Sequence, residues 1–200
     1  MSNDLRICNM RSKSSAIQVL VADKHPLFRA GIRQELEQYP DIEVIAEAAN
    51  GSEVLEQVES YQPTVLILDL NLRQISGLEV MIRLNEMKNK TKNETKKIPY
   101  VLVLSSYCDC HHVTSMMNAG AMGYLTKWEE AGSIVEGIRK VASGLRALSQ
   151  EVLDKWQPML SAQIIDLTTR ELEVLKLVAH GHSNISIANL LMITVGTVKV

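Results

Sequence analysis

Five short apolar runs alternate with amphipathic segments over residues 17–143 of the chain. Each run has the length of a strand and no polar alternation, which is typical of strands buried on both faces of a parallel sheet. The predicted strands are Ile17–Ala22, Ile42–Ala46, Val65–Leu68, Tyr100–Leu104 and Met122–Leu125. The predicted helices are Pro26–Gln38, Ser52–Ser60, Leu78–Met87, Val113–Ala119 and Glu129–Ser143. This alternation predicts an α/β domain with a doubly wound, five-stranded parallel sheet, a flavodoxin-like arrangement.

The pattern changes after Gly144. A short helix is predicted over Ser149–Trp156 and ended by Pro158, and helical spacing returns from Leu167. The chain is therefore expected to comprise a disordered leader (1–16), the α/β domain (17–143), a linker with a short helix (144–166) and a small all-α domain (167–200). Within the α/β domain, residues 88–97 hold five Lys, one Glu and no apolar residue, which predicts a solvated loop.

The all-α segment is expected to contain a helix over roughly Asn184–Met192 and another that begins near Thr194. The first of these would turn Ile185, Ala188 and Leu191 inward, since these residues recur at helical spacing.

Composition narrows the classes of function. The 21 basic and 23 acidic residues leave a net charge of −2, so the whole chain lacks the basic excess that marks many nucleic-acid binders. Three cysteines, an odd number, argue against a disulfide framework and for a reducing compartment. The sequence holds no apolar stretch of about 18–20 residues that would span a membrane, and a cytoplasmic location is expected.

Polar residues follow four of the predicted strands. Asp23 and Lys24 follow the first strand, Asp69 the third, Ser105 the fourth and Lys127 the fifth. Ligands of parallel sheets bind at the carboxyl ends of the strands. A carboxylate nucleophile with a hydroxyl and an ammonium beside it suits a phosphoryl group.

The same stretches resemble response-regulator receiver domains over about Ile17–Val141. The resemblance lies in "VLVADKHPLFRAGI", "PTVLILDLNL" followed by "SGLEV", "VLVLSS" and "AGAMGYLTK". It implies that Asp69 accepts a phosphoryl group from a histidine kinase, with Ser105 and Lys127 beside the acyl phosphate and Tyr124 as the switch aromatic. It also implies a Mg²⁺ site formed by Asp23, Asp69 and the backbone carbonyl of Asn71.

Lys24 departs from the receiver pattern, which carries a second acid at this position. An ammonium cannot ligate a metal ion and repels one. Two interpretations stay open at this point. Lys24 forms an ion pair with Asp69 and holds a metal-free, phosphorylation-independent domain, or Mg²⁺ binds weakly through Asp23, Asp69 and water.

The segment Cys108-Asp-Cys-His-His112 contains residue types that bind Zn²⁺, but no second ligand pair accompanies it. We expect a structural role, with Asp109 as the N-cap of the fourth helix. Redox sensing by Cys108 or Cys110 is the main alternative.

The segment "LTTRELEVLKLVAHGHSNISIANLLMITVGTVKV" resembles the helix-turn-helix of the NarL/FixJ (LuxR-type) regulators. The resemblance implies double-stranded DNA as a partner, with Thr197, Lys199 and Val200 at the DNA-contacting helix, and a homodimer when active. Only one or two turns of that helix and no fourth helix are present, so either the chain is a fragment or it lacks autonomous DNA binding.

The sequence is therefore interpreted as a DNA-binding transcriptional response regulator, a switch rather than an enzyme and without a membrane partner. The alternative is a phosphorylation-independent pseudo-receiver that acts by protein contact with a non-autonomous DNA-binding tail. An Asp69-dependent phosphohydrolase is disfavoured because no second acid/base carboxylate is available for it.

Overall fold

The structure is a computed structural model that describes residues 16–90, 98–162, 169–179 and 182–198. The chain divides into two compact units, Met1–Pro158 and Met159–Val200. The expected leader lies outside the described residues, except for Ala16. Within the described residues, no helix is both long enough and apolar enough to cross a bilayer.

The first unit is built on a parallel sheet. Its strands are β1 (Ile17–Ala22), β2 (Ile42–Ala48), β3 (Val65–Leu68), β4 (Tyr100–Ser105), β5 (Gly123–Thr126) and β6 (Ala147–Leu148). They lie in the order β2-β1-β3-β4-β5-β6, and every neighbouring pair is parallel. The predicted parallel α/β fold is therefore confirmed.

The sheet has one strand more than the sequence pattern predicts. The two residues of β6 pair with Gly123 and Tyr124 of β5 and lie in the segment predicted as a linker. A strand of two residues is too short to show a hydrophobic pattern, so the sequence could not predict it. It forms because β5 would otherwise be an edge strand with unpaired backbone groups.

The first unit contains the helices α1 (Pro26–Leu36), α2 (Gly51–Tyr61), α3 (Gly77–Lys90), α4 (Cys110–Asn118) and α5 (Ala131–Ala142). Helix α6 (Gln150–Ala162) begins in the first unit and extends past its last residue, Pro158. The Asp109 side chain accepts a hydrogen bond from the backbone N–H of His112, so the predicted N-cap of α4 is confirmed.

Several predicted ends differ from the structure, and for two helices the difference overturns a specific sequence signal. Helix α3 continues through Lys90, so the first residues of the expected lysine-rich loop are helical, and residues 91–97 lie outside the described residues. Helix α6 continues past Pro158. A proline removes one helical hydrogen bond but does not always end a helix.

Apolar side chains alternate between the two faces of the sheet. Leu20 and Leu66 pack with α2, α3 and α4, whereas Val21 and Ile67 pack with α1 and α5. All four are at most 2% exposed. The resulting three-layer core holds the carboxyl ends of the strands in fixed register.

The second unit contains α7 (Thr169–Ala179), α8 (Asn184–Leu191) and α9 (Val195–Val198). Ile187 and Ala188 form the centre of its small core, and Leu191 packs against them. The prediction for Ile185 is wrong, because its side chain is 66% exposed. With Ile187 at the centre of the buried face, Ile185 is two positions away and turns off that face.

Candidate functional site

The four predicted polar positions converge at the carboxyl edge of the sheet. Asp23 follows β1, Asp69 follows β3, Ser105 ends β4 and Lys127 follows β5. Asp23, Asp69 and Ser105 are 1%, 4% and 0% exposed. Two buried carboxylates therefore lie at the end of a sheet that is otherwise filled with aliphatic side chains.

Lys127 joins the two carboxylates. Its Nζ donates a hydrogen bond to Oδ2 of Asp23 and lies 3.2 Å from Oδ1 of Asp69. The same ammonium lies 4.5 Å from the centre of the Phe28 ring, which adds a cation–π contact. The backbone fixes this arrangement, because the Lys127 N–H donates to the Ser105 carbonyl at 2.9 Å and the Asp69 N–H donates to the Ala22 carbonyl at 3.0 Å.

Burial raises the pKa of Asp69 above its ordinary value. The Asp23 carboxylate raises the pKa further, while Lys127 and, more weakly, Lys24 lower it. Within the described part of the chain, only Lys127 makes an ion pair with Asp69. The ion pair between Lys24 and Asp69 that the first interpretation requires is absent, since Lys127 already holds that carboxylate.

Asp23 has further partners that the sequence analysis missed. The His25 N–H donates to Oδ1 of Asp23 at 2.7 Å, and Nδ1 of His25 lies 2.9 Å from the same oxygen. Nη1 of Arg29 donates to the Asp23 backbone carbonyl at 2.6 Å. The contact with the His25 N–H could have been predicted from the sequence, because Asp-x-His has the spacing of an Asx turn. The Arg29 contact could not, because it forms only once α1 is folded.

Ser105 and Tyr124 meet at one residue, Tyr107. The Ser105 Oγ accepts a hydrogen bond from the Tyr107 N–H at 3.1 Å, and the Tyr124 hydroxyl donates to the Tyr107 carbonyl. The Tyr124 side chain is fully buried, which raises the pKa of its hydroxyl. Tyr107 is 50% exposed, so it joins two buried groups to the protein surface.

The donor set only partly suits Mg²⁺. Asp23 and Asp69 offer hard carboxylate oxygens, and Asn71 lies in the loop after Asp69. Lys24 stands where the receiver pattern has a second acid after the first strand, and Lys127 already contacts both carboxylates. The described residues contain no group of three or more His, Cys, Asp or Glu that is arranged to hold a metal ion, and this applies to residues 108–112 as well.

The described part of the second unit places Thr197 on α9, whereas Lys199 and Val200 lie outside the described residues. The Thr197 N–H donates to the Thr194 carbonyl at 3.0 Å and contacts the Thr194 Oγ1 at 3.2 Å, and the two hydroxyl oxygens lie 2.8 Å apart. Thr194 therefore fixes the start of α9, and the Thr197 side chain is exposed.

Comparison with known proteins identifies the class. Residues 19–139 match the response regulator receiver domain, and residues 166–200 match the luxR family of bacterial regulatory proteins. The first match covers more than half of the chain, which therefore belongs to the NarL/LuxR-type response regulators, a family of DNA-binding transcription regulators. Members of this family bind DNA and are phosphorylated by histidine kinases, and receiver domains generally bind Mg²⁺.

Individual relatives match along most of their length. The chain is 35% identical to the transcriptional regulatory protein LiaR of Bacillus subtilis (strain 168), over 92% of this chain and 86% of LiaR. It is 33% identical to the nitrate/nitrite response regulator NarL of Escherichia coli (strain K12), over 94% and 87%. The solved response regulator ChrA, from a heme-sensing two-component system, is 30% identical with a TM-score of 0.58, over 92% and 86%.

Proposed function

We propose that this chain is a phosphorylation-controlled regulator in which Asp69 accepts a phosphoryl group from a histidine kinase. The observation that carries the proposal is the contact of one ammonium, on the 9% exposed side chain of Lys127, with both Asp23 and Asp69. A cation held at the acceptor carboxylate is positioned to neutralise the oxygens of an incoming phosphoryl group.

In the proposed step, an Asp69 carboxylate oxygen attacks phosphorus. A P–O bond forms, the P–N bond to the kinase histidine breaks, and the nitrogen keeps the electron pair. Lys127 then turns from the carboxylate of Asp69 to the new phosphoryl oxygens. Asp23 stays in contact with the same ammonium and holds it at the edge of the sheet.

Ser105 and Tyr124 would transmit this change. The Ser105 oxygen accepts from Tyr107, so the Ser105 hydroxyl can donate its proton, either to the Tyr124 oxygen or to a phosphoryl oxygen. A movement of Ser105 toward Asp69 pulls on the Tyr107 backbone, whose carbonyl holds the Tyr124 hydroxyl. We therefore assign Tyr124 as the aromatic that reports the state of Asp69 to the surface near Tyr107.

Mg²⁺ would bind through Asp23, Asp69 and the Asn71 carbonyl, and would supply positive charge to the phosphoryl oxygens. Lys24 opposes that binding. Replacing an acid by a lysine changes the formal charge of the pocket by two positive units, which is the charge of one Mg²⁺ ion. We therefore expect weak Mg²⁺ binding and a low dependence of phosphorylation on Mg²⁺.

The proposed DNA-binding function belongs to the C-terminal segment of the chain. We assign the receiver to residues 17–143, the linker to 144–166 and the helix-turn-helix segment to 167–200, with Thr197, Lys199 and Val200 facing DNA. Phosphorylation would favour a homodimer, which matches the two-fold arrangement of most operator half-sites. The protein would act in the cytoplasm as a switch, and Asp69 would carry one phosphoryl group per cycle without further catalytic turnover.

Incubation with acetyl phosphate, followed by intact-mass spectrometry, tests the acceptor. The wild-type protein should gain one phosphoryl group, and Asp69→Asn should gain none. Asp41→Asn is the matched control, since Asp41 is a half-exposed carboxylate paired with Arg139. A wild-type protein that stays unmodified at every Mg²⁺ concentration would favour the phosphorylation-independent alternative.

Lys24→Asp tests the account of the metal site. Calorimetric titration with Mg²⁺ should show tighter binding to Lys24→Asp than to the wild type. Lys88→Asp provides the same charge change far from the pocket, at the end of α3. Equal affinities for the wild type and Lys24→Asp would show that Lys24 does not control the site.

A further inference from the structure

The ring of Phe28 lies against the ammonium group of Lys127. Nζ of Lys127 is 4.5 Å from the centre of the ring, which is within the range of a cation–π contact. Trp128 directly follows Lys127 in the sequence, but its side chain is 75% exposed. In the described part of the chain, the other cation–π contact joins Arg139 to Tyr39 at 5.3 Å. The ammonium shared by the two carboxylates therefore has an aromatic partner that is distant in sequence.

The start of α1 fixes the ring in this place. Phe28 is the third residue of α1 and packs against the core on the side of the sheet that α1 and α5 cover. Nη1 of Arg29, the next residue, donates to the backbone carbonyl of Asp23 at 2.6 Å. Leu27, the preceding residue, is 89% exposed. The first turn of α1 is therefore tied to the residue whose carboxylate Lys127 contacts, and it turns Phe28 rather than Leu27 toward the site.

Phe28 completes the set of partners of the Lys127 ammonium. An ammonium carries three N–H donors. Asp23 and Asp69 provide carboxylate oxygens for two of them, and the face of the Phe28 ring provides a third contact. The Lys127 side chain is 9% exposed, so solvent has little access to it. A cation with three fixed partners is held in one orientation more firmly than a cation with two.

We propose that Phe28 is a positioning residue, which holds the Lys127 ammonium at the acceptor carboxylate of Asp69. Its role in phosphoryl transfer rests on the proposed phosphorylation of Asp69. In that step the attacking oxygen of Asp69 shares its charge with phosphorus and attracts the ammonium less than before. Asp23 and the ring are unchanged by the reaction. They keep Lys127 in place as it turns to the phosphoryl oxygens, so Phe28 acts through Lys127 and not on the reacting atoms.

A double-mutant cycle in the unphosphorylated chain, measured by urea denaturation, tests the contact itself. Phe28→Leu should lower the equilibrium constant for folding about fivefold more with Lys127 present than in Lys127→Met, because only the former contains the cation. Phe28→Tyr keeps an aromatic face and should not show this additional loss. Equal effects of Phe28→Leu in the two backgrounds would overturn the proposal, whether or not Asp69 is phosphorylated.

A second measurement keeps Lys127 in place. Phe28 is the only phenylalanine in the sequence, so growth on fluorinated phenylalanines changes this ring alone. Increasing fluorination weakens the negative face of the ring while its shape stays nearly the same. The equilibrium constant for folding should fall along the series, by up to about fivefold. A constant that is unchanged or rises would show that the ring acts by its size, and would overturn the proposal.

The rate of phosphorylation by acetyl phosphate, followed by intact-mass spectrometry, tests the role in transfer. Phe28→Leu should gain the phosphoryl group about fivefold more slowly than the wild type, and Phe28→Tyr should react at the wild-type rate. Tyr39→Leu is the matched control, since it removes the cation–π contact with Arg139 and should leave the rate unchanged.

The outcomes separate this proposal from the proposed function. Equal rates for the wild type and Phe28→Leu would refute the role of Phe28 in transfer, although Asp69 would still be the acceptor. A wild-type protein that gains no phosphoryl group would contradict the proposed function instead. The double-mutant cycle and the fluorinated series would then decide whether Phe28 positions Lys127.

Discussion

Asp69→Asn should make the first unit more stable at pH 8. Asp69 is only 4% exposed, and burial is the largest influence on its pKa, which lies above the ordinary value of 3.8. The charged carboxylate is therefore less favourable in the folded state than in the unfolded state. Asparagine has almost the same shape and no charge, and Lys127 would still have its partner Asp23.

The pH dependence follows from the sign of this shift. Because the folded pKa of Asp69 is raised, its favourable contribution is fully present below the unfolded pKa and is lost as pH rises through the folded pKa. One proton is involved, so the difference between wild type and variant changes by at most about 1.4 kcal/mol per pH unit in that window. Above the folded pKa the advantage of the variant is constant.

Urea denaturation from pH 4 to pH 8 measures this difference. Trp156 is a local probe of the first unit because its side chain is 8% exposed, whereas Trp128 is 75% exposed and changes environment less on unfolding. Asp41→Asn is the control of opposite sign, since the Arg139 guanidinium lowers the pKa of Asp41. A difference between wild type and Asp69→Asn that is independent of pH would show that Lys127 offsets burial, and a less stable variant at pH 8 would show that Lys127 outweighs burial.

Three further substitutions test the packing around the site, each by the free energy of unfolding. Gly77→Ala should cost about 1–3 kcal/mol, because a Cβ there would stand 2.5 Å from the Asp69 carbonyl oxygen, whereas Gly132→Ala, with nothing within 4 Å, should cost little. Tyr124→Phe should cost about 1–2 kcal/mol more than Tyr61→Phe, since only the first removes a buried hydrogen bond. Val152→Ala should cost about 1–3 kcal/mol by opening a cavity under α6, and a neutral result would contradict the anchoring role of that helix.

The strands could be predicted from the sequence because each is an apolar run with polar neighbours. The predicted bounds of β1 and β3 agree with the structure, and those of β4 differ by one residue, at Ser105. The convergence of Asp23, Asp69 and Lys127 was also predictable, since the carboxyl ends of parallel strands meet at one edge of the sheet. Local sequence therefore determines most of the scaffold and the membership of the site.

The contacts that connect elements could not be predicted in this way. The contact of Lys155 with Cys108 spans 47 residues and depends on the docking of α6. Helix α6 is also helical beyond Pro158, although the proline alone predicts an end. Periodicity describes one element at a time and carries no information about which partner an exposed edge or a charged side chain meets.

In the proposed phosphorylation of Asp69, the two lysines near its carboxylate would have different consequences. Lys127 contacts both Asp23 and Asp69, so its charge would be redistributed when a phosphoryl group arrived. Lys24 makes no ion pair with Asp69 and adds positive charge at longer range. It would therefore disfavour Mg²⁺ and favour the phosphoryl dianion at the same time. It follows that the Mg²⁺ dependence of phosphorylation, rather than its occurrence, should distinguish this pocket from one with an acid in place of Lys24.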